Sequence, residues 1–339
     1  MKHSPIQRQT KWSLGIGAMV ITSSLIASLG VSTNAATAAA EWDGNGGPTI
    51  LKTAPVGTPI NAPAKNSLFA CVPAPVPGTN LTVTIGQNIG TKLSQAQTPW
   101  MENGNVVLSK VEIVPGKVKL KSVFKVTETK TTRKLKGNGI PNHPIGKFAI
   151  PKDSPSYKYY AALPAEGYAN AAEIPVKPYH LEITLPKNPK VAEKPSCISS
   201  LMIGVSLTGG SWHAEIAPDS QANIYDPNTA LPTDRCSGHP YLEQYHYHGY
   251  SWKCMEQGKQ GEPSPLLGYA VDGFGIYGPR GANGKLVTNA QLDECHGRVG
   301  KVMFNGKLQK IYHYVLNNEY PYSIGCLRGT PQPMIAMNH

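Results

Sequence analysis

Phenylalanine is scarce, with five residues in a chain of 339, against sixteen tyrosines. Long stretches of helical periodicity are also missing; thirty-four glycines and thirty prolines punctuate the chain instead. This argues against a helical bundle and for many short strands joined by turns. No serine nucleophile elbow, phosphate-cradling glycine loop or dinucleotide fingerprint occurs. The glycine-rich GFGIYGPRG (273–281) follows an apolar run but opens no helix, so phosphotransfer and nicotinamide chemistry are set aside. Nucleic-acid motifs are absent too, and nucleic acid is not an expected partner. No CxxC pair exists among the six cysteines, and beyond the first thirty residues no segment approaches the roughly twenty apolar residues that span a bilayer. The expected fold is mostly β: a single antiparallel, β-sandwich-like domain with long Pro/Gly-rich loops and disulfides.

The chain opens with Lys2, Arg8 and Lys11, an apolar run from Trp12 to Leu29 and a small-residue tract from Ser32 to Ala40. That order is the layout of a secretory signal peptide over 1–40, and it predicts a secreted or periplasmic protein with no membrane span after cleavage. Removing those three cations from thirty-two leaves twenty-nine against twenty-one acids, a formal charge of +8. An anionic cell-surface polymer or a small anionic ligand is therefore a candidate partner. The cations concentrate between Lys110 and Lys136, where apolar and polar positions alternate, which places the lysines on the wet face of a strand. Residues 41–105, rich in Pro, Gly, Ala and Thr, read as an arm or linker, and 106–335 as the domain. Two proline-rich stretches, 140–155 and 162–178, read as long surface loops. No repeat of fixed period is evident, although YHY occurs at 245–247 and again at 312–314.

An even number of cysteines in an exported chain reads as disulfides, with fifteen possible connectivities for six. Local closure favours Cys236 with Cys254 and Cys295 with Cys326, leaving Cys71 and Cys197 to tie the amino-terminal arm to the domain. A loop of such size stabilises by about 3 kcal/mol in the chain-entropy description.

The blocks GHPYLEQYHYHGYSWKC (238–254) and SPLLGYAVDGFGIYGPRG (264–281) resemble the YHYH domain family. LDECHG (292–297), YHYVLNNEYPYSIGCLRGT (312–330) and GNGIPNHPIGKF (137–148) are similar to its closing and opening motifs. The sequence departs from the commoner pattern at His296, where Asn is usual, and at Gly275, where Pro is usual. The resemblance implies an exported protein and carries no established reaction.

Alternation along a strand sends His246 and His248 to one face and Tyr245 and Tyr247 to the other. Two imidazoles side by side are a common pair of nitrogen ligands, and His313 and His239 are the candidates to complete a copper or zinc site. The alternative is a set of half-buried histidines hydrogen-bonded to carbonyls. His143 and His213 read as surface or loop residues, and His180, followed by Glu182, as a weaker ligand candidate. Asp272, in an apolar run, reads as an orienter of a ligand histidine, as a general base for metal-bound water, or as a turn former ahead of Gly273. A metal-dependent hydrolase on a cell-surface substrate is thus one alternative. Another is a metal-free glycan- or peptide-binding surface made of Tyr245, Tyr247, Tyr250, Trp252 and Tyr277, with Arg328 as an anion contact or as a partner of the nearby acids. Whether the protein is an enzyme stays open at this level.

Overall fold

A computed structural model describes residues 62–75, 82–89, 101–102, 105–106, 114–154, 156–157, 172–218 and 224–338. The expected signal peptide lies outside them. All described residues belong to one unit that runs from Ala38 to His339.

The hairpin of β1 (Leu68–Pro75) and β2 (Thr82–Ile89) comes first, followed by the two-residue strands β3 (Met101–Glu102) and β4 (Asn105–Val106). Where composition suggests a loose arm, Leu68, Phe69, Ala70 and Ile89 are instead buried in the main core. The reason is covalent and polar anchoring: Cys71 is bonded to Cys197, and the Phe69 amide donates to the Gly325 carbonyl at 2.7 Å.

β5 (Phe124–Glu128), β6 (Thr132–Gly137) and β7 (Tyr179–Pro186) form an antiparallel sheet whose other edge is the carboxy-terminal β18 (Met334–Asn338), in the order β18-β7-β6-β5. Strict alternation in β7 buries Tyr179, Leu181, Ile183 and Leu185. Lys134 and Lys136 stand on the exposed face and pair with Glu182. Arg133, between apolar neighbours, points inward: its guanidinium lies 3.9 Å from the Tyr269 ring centroid and pairs with Glu128.

The second sheet has eight strands: β8 (Met202–Ser206), β9 (Ser211–His213), β12 (Gly238–Tyr241), β13 (Gln244–Tyr247), β14 (Leu266–Ala270), β15 (Gly275–Tyr277), β16 (Gly297–Phe304) and β17 (Lys307–Val315). The two-residue pair β10 (Ala217–Pro218) and β11 (Ile224–Tyr225) lies in the connection before β12. The order is β12-β13-β9-β8-β14-β15-β17-β16, antiparallel except that β13 runs parallel to β9 and β17 parallel to β15. The two sheets share one hydrophobic core, and the Tyr179 hydroxyl of the smaller sheet meets Ser211 Oγ of the larger at 3.2 Å.

Read outward from its centre, the large sheet is two copies of one four-stranded unit. β8 and β14 pair antiparallel about Val205 and Tyr269, and each is followed by a hairpin with a register shift at the same place, Met202/Gly204 and Leu266/Gly268. Each unit then adds its later hairpin, β12–β13 or β16–β17, through a parallel contact. In both, an aspartate before the hairpin accepts from a cysteine amide, a glycine amide and a tyrosine hydroxyl: Asp234 from Cys236, Gly238 and Tyr245, Asp293 from Cys295, Gly297 and Tyr312. The stretch at 140–150, expected as a surface loop, buries Ile140, Ile145 and Ile150 and donates the Gly146 amide to Asp234.

Candidate metal centre

β12 and β13 are joined by Leu242 and Glu243, both with positive φ (48° and 67°), the backbone of a tight two-residue hairpin. That turn sets the register in which His239 lies directly across from His246. His248, two residues further, returns to the same face. The three Nε2 atoms form a nearly equilateral triangle: 3.1 Å from His239 to His246, 3.1 Å from His239 to His248 and 3.2 Å from His246 to His248. All three rings are buried. Burial, reinforced by the neighbouring imidazoles, holds His239 and His246 well below the ordinary histidine range, so both are neutral at pH 7.

The outer nitrogens fix the tautomers. His246 Nδ1 lies 3.2 Å from the Gln244 carbonyl, which only accepts, so this nitrogen carries the proton and Nε2 bears a lone pair. His248 Nδ1 lies 3.1 Å from Glu215 Oε2, with the same consequence. Glu215 is wholly buried; it also accepts from the Gly249 amide at 2.7 Å and from Asn228 Nδ2 at 3.2 Å, and among the described residues its ion-pair partner is His248. This is the carboxylate–histidine arrangement that orients metal-ligating imidazoles. With Nδ1 of His246 and of His248 turned outward to an acceptor, the Nε2 atoms of these two rings face each other at 3.2 Å, and a proton on His239 Nε2 can serve only one of them well.

His213 stacks on His246 with centroids 3.6 Å apart and planes 10° apart. Expected at the surface, it is buried, because β9 runs beside β13 and carries it to the same face. Its Nε2 has no hydrogen-bond partner. Glu215 carries no motif of its own in the sequence, and His213 reads there as a surface or loop residue; the trace that links them is the i, i+2 spacing in WHAE, which places both on one face of an extended segment.

His313 does not join the trio. It sits on β17, five places along the sheet from β13, across from Arg298 and against the Tyr277 ring at 5.2 Å. Asp272 is also elsewhere: it accepts from the Tyr314 hydroxyl at 2.6 Å, from the Gly329 amide at 2.9 Å and from the Phe274 amide at 3.2 Å, beside the positive-φ turn at Gly273. It is a buried turn acceptor, with no contact to the histidine trio. The tyrosine platform is not at the surface either. Tyr245, Tyr247, Tyr250 and Tyr277 are buried, and the hydroxyls of Tyr245 and Tyr247 are engaged by Asp234 and by His143 and Thr208 respectively. Trp252 is partly buried and donates to Asn318 Oδ1 at 3.0 Å. Arg328 faces Glu294 and Asp293 at 3.5 and 3.9 Å.

The six cysteines form Cys71–Cys197, Cys236–Cys254 and Cys295–Cys326. A second group, His143 with Cys236 and Cys254, brings ligand types together, but its sulfurs are joined in a disulfide and are not thiolate ligands.

Fold and site define an all-β, disulfide-linked domain with a buried tris-imidazole cluster on one hairpin. The sequence model of the family described as YHYH protein matches residues 182–286, the segment that contains this hairpin. No curated protein and no solved structure matches the chain.

Proposed function

We propose that the domain binds a transition metal ion, zinc or copper(II), through the Nε2 atoms of His239, His246 and His248, in a protein exported to an oxidising compartment. The observation that carries this reading is the triangle of nitrogens. Ligands at about 2.0–2.1 Å from a tetrahedral ion lie roughly 3.3 Å apart, close to the spacing seen here, and imidazole suits both metals. A cation at the centre would satisfy lone pairs that otherwise oppose each other, and would offset the charge of the buried Glu215. Three protein ligands leave a fourth position for water or another ligand. The three disulfides support an oxidising setting.

Titrating the metal-free chain with zinc against a chromophoric chelator tests this. Near-stoichiometric uptake is expected for the native chain, with loss of uptake in His246→Ala with His248→Ala. Glu215→Gln keeps the shape but weakens the acceptor at His248 Nδ1, and affinity falls 10–100-fold. Equal uptake by the native and double-variant chains, with copper as with zinc, defeats the reading.

A further inference from the structure

The two halves of the large sheet place different chemistry at matching positions. Arg298 lies across from His313 as His239 lies across from His246. Tyr277 lies beside His313 as His213 lies beside His246, and Val315, two residues after His313, takes the place of His248. The second half thus has a single histidine where the first has four, and an arginine in the cross-strand position.

At that place a small pit is lined by Arg280, Arg298, Lys301 and His313, with Ser264 and Tyr277, and no acidic side chain lines it. Arg298 Nε and Arg280 Nη2 are both buried without a hydrogen-bond partner. The guanidinium of Arg280 is otherwise held by the Glu262 backbone carbonyl, while the Glu262 carboxylate lies near Lys259. Buried N–H groups of a charged guanidinium call for an acceptor, and an anion in the pit that both residues line is a suitable one. The pit holds space for about one water-sized group, which limits the ligand to a monatomic anion or to the tip of a carboxylate.

We propose that this pit, the counterpart of the histidine trio in the other half of the sheet, is a binding site for a small anionic head, held by Arg298 and Arg280 beside His313. Its source is a free halide or a carboxylate carried by a larger molecule. The proposal does not depend on metal binding by the histidine trio.

Thermal unfolding of the full chain, with a neutral chelator present throughout, separates these cases. Chloride, acetate or sulfate replaces methanesulfonate at constant ionic strength. A ligand that binds only the folded state raises the midpoint with concentration. The expected result is a rise with chloride, acetate or both that needs at least a tenfold higher concentration in Arg298→Gln, while sulfate, too large for the pit, shifts native chain and variant equally through its exclusion from the protein surface. Acetate alone acting identifies a carboxylate site, and chloride alone a halide site. If Arg298→Gln does not fold, Arg280→Gln replaces it. Flat midpoints in the native chain with both small anions, or the same response to them in native and variant, overturn the proposal.

Discussion

His296 carries a positive φ of 66°, a backbone conformation that asparagine tolerates better than most residues, and its buried ring meets Asn289 Oδ1 through Nε2 at 2.8 Å. Burial depresses it to about 4. Between about pH 4 and 6.5 the unfolded chain therefore binds a proton that the folded chain does not. The resulting stability is complete above pH 6.5 and is lost as pH falls toward 4. His296→Asn removes this dependence. Denaturant unfolding of both proteins should show the native chain losing about 3 kcal/mol relative to the variant from pH 7 to pH 4; parallel pH profiles would contradict the assignment. At this scale the sequence was informative where alternation alone decides: His246 and His248 share a face because they are two apart. Glu215 and His213 were not legible, because their place at the cluster depends on β9 lying beside β13, a pairing between segments over thirty residues apart.

The β12–β13 hairpin shows how an element can be hidden from its sequence. Two-residue turns of this kind favour Asn-Gly, yet Leu242 and Glu243 occupy the positive-φ positions here. The usual signal is absent, although the flanking alternation HPY…QYHYH remains. Replacing Leu242→Asn together with Glu243→Gly should relieve backbone strain and raise stability by about 1 kcal/mol, leaving zinc affinity unchanged because the His239–His246 register is preserved. Calorimetry with a parallel metal titration checks both parts. A fall in stability, or a loss of zinc affinity, would mean that the side chains at the turn do more than close it. Asp272 shows the opposite case: Asp-Gly was legible as a turn, and the structure adds that its carboxylate is the acceptor for Tyr314 and Gly329.

Across the large sheet, the duplicated four-stranded unit left two traces in the sequence, the second YHY and the D-x-C-x-G at 234–238 and 293–297. It was not recognisable as a repeat of fixed period because the two hairpins differ in length: β12–β13 aligns four residue pairs and β16–β17 aligns eight. Four extra residues per strand is an even number, so the faces are kept while the period is lost. The mostly β class and the local disulfides were legible from turn residues and cysteine spacing. The seating of the amino-terminal hairpin was not, since it rests on long-range contacts with Ile198 and Gly325. Replacing Cys295 and Cys326 by serine should cost about 2–5 kcal/mol of stability. Zinc affinity should persist, because the histidine trio lies in the other half of the sheet. Chemical denaturation, with metal affinity measured under native conditions, tests that separation of the halves; joint loss of stability and affinity in a still-folded variant would show them to be coupled.

The most direct test of the central reading is the metal content of the untagged chain by inductively coupled plasma mass spectrometry, beside the variant with His239, His246 and His248 all changed to alanine. The account predicts close to one zinc or copper per native chain and none in the variant, with the native fold of each verified by its near-ultraviolet circular dichroism. Absence of metal from the folded native chain after reloading with each ion, or equal metal in both proteins, would contradict it.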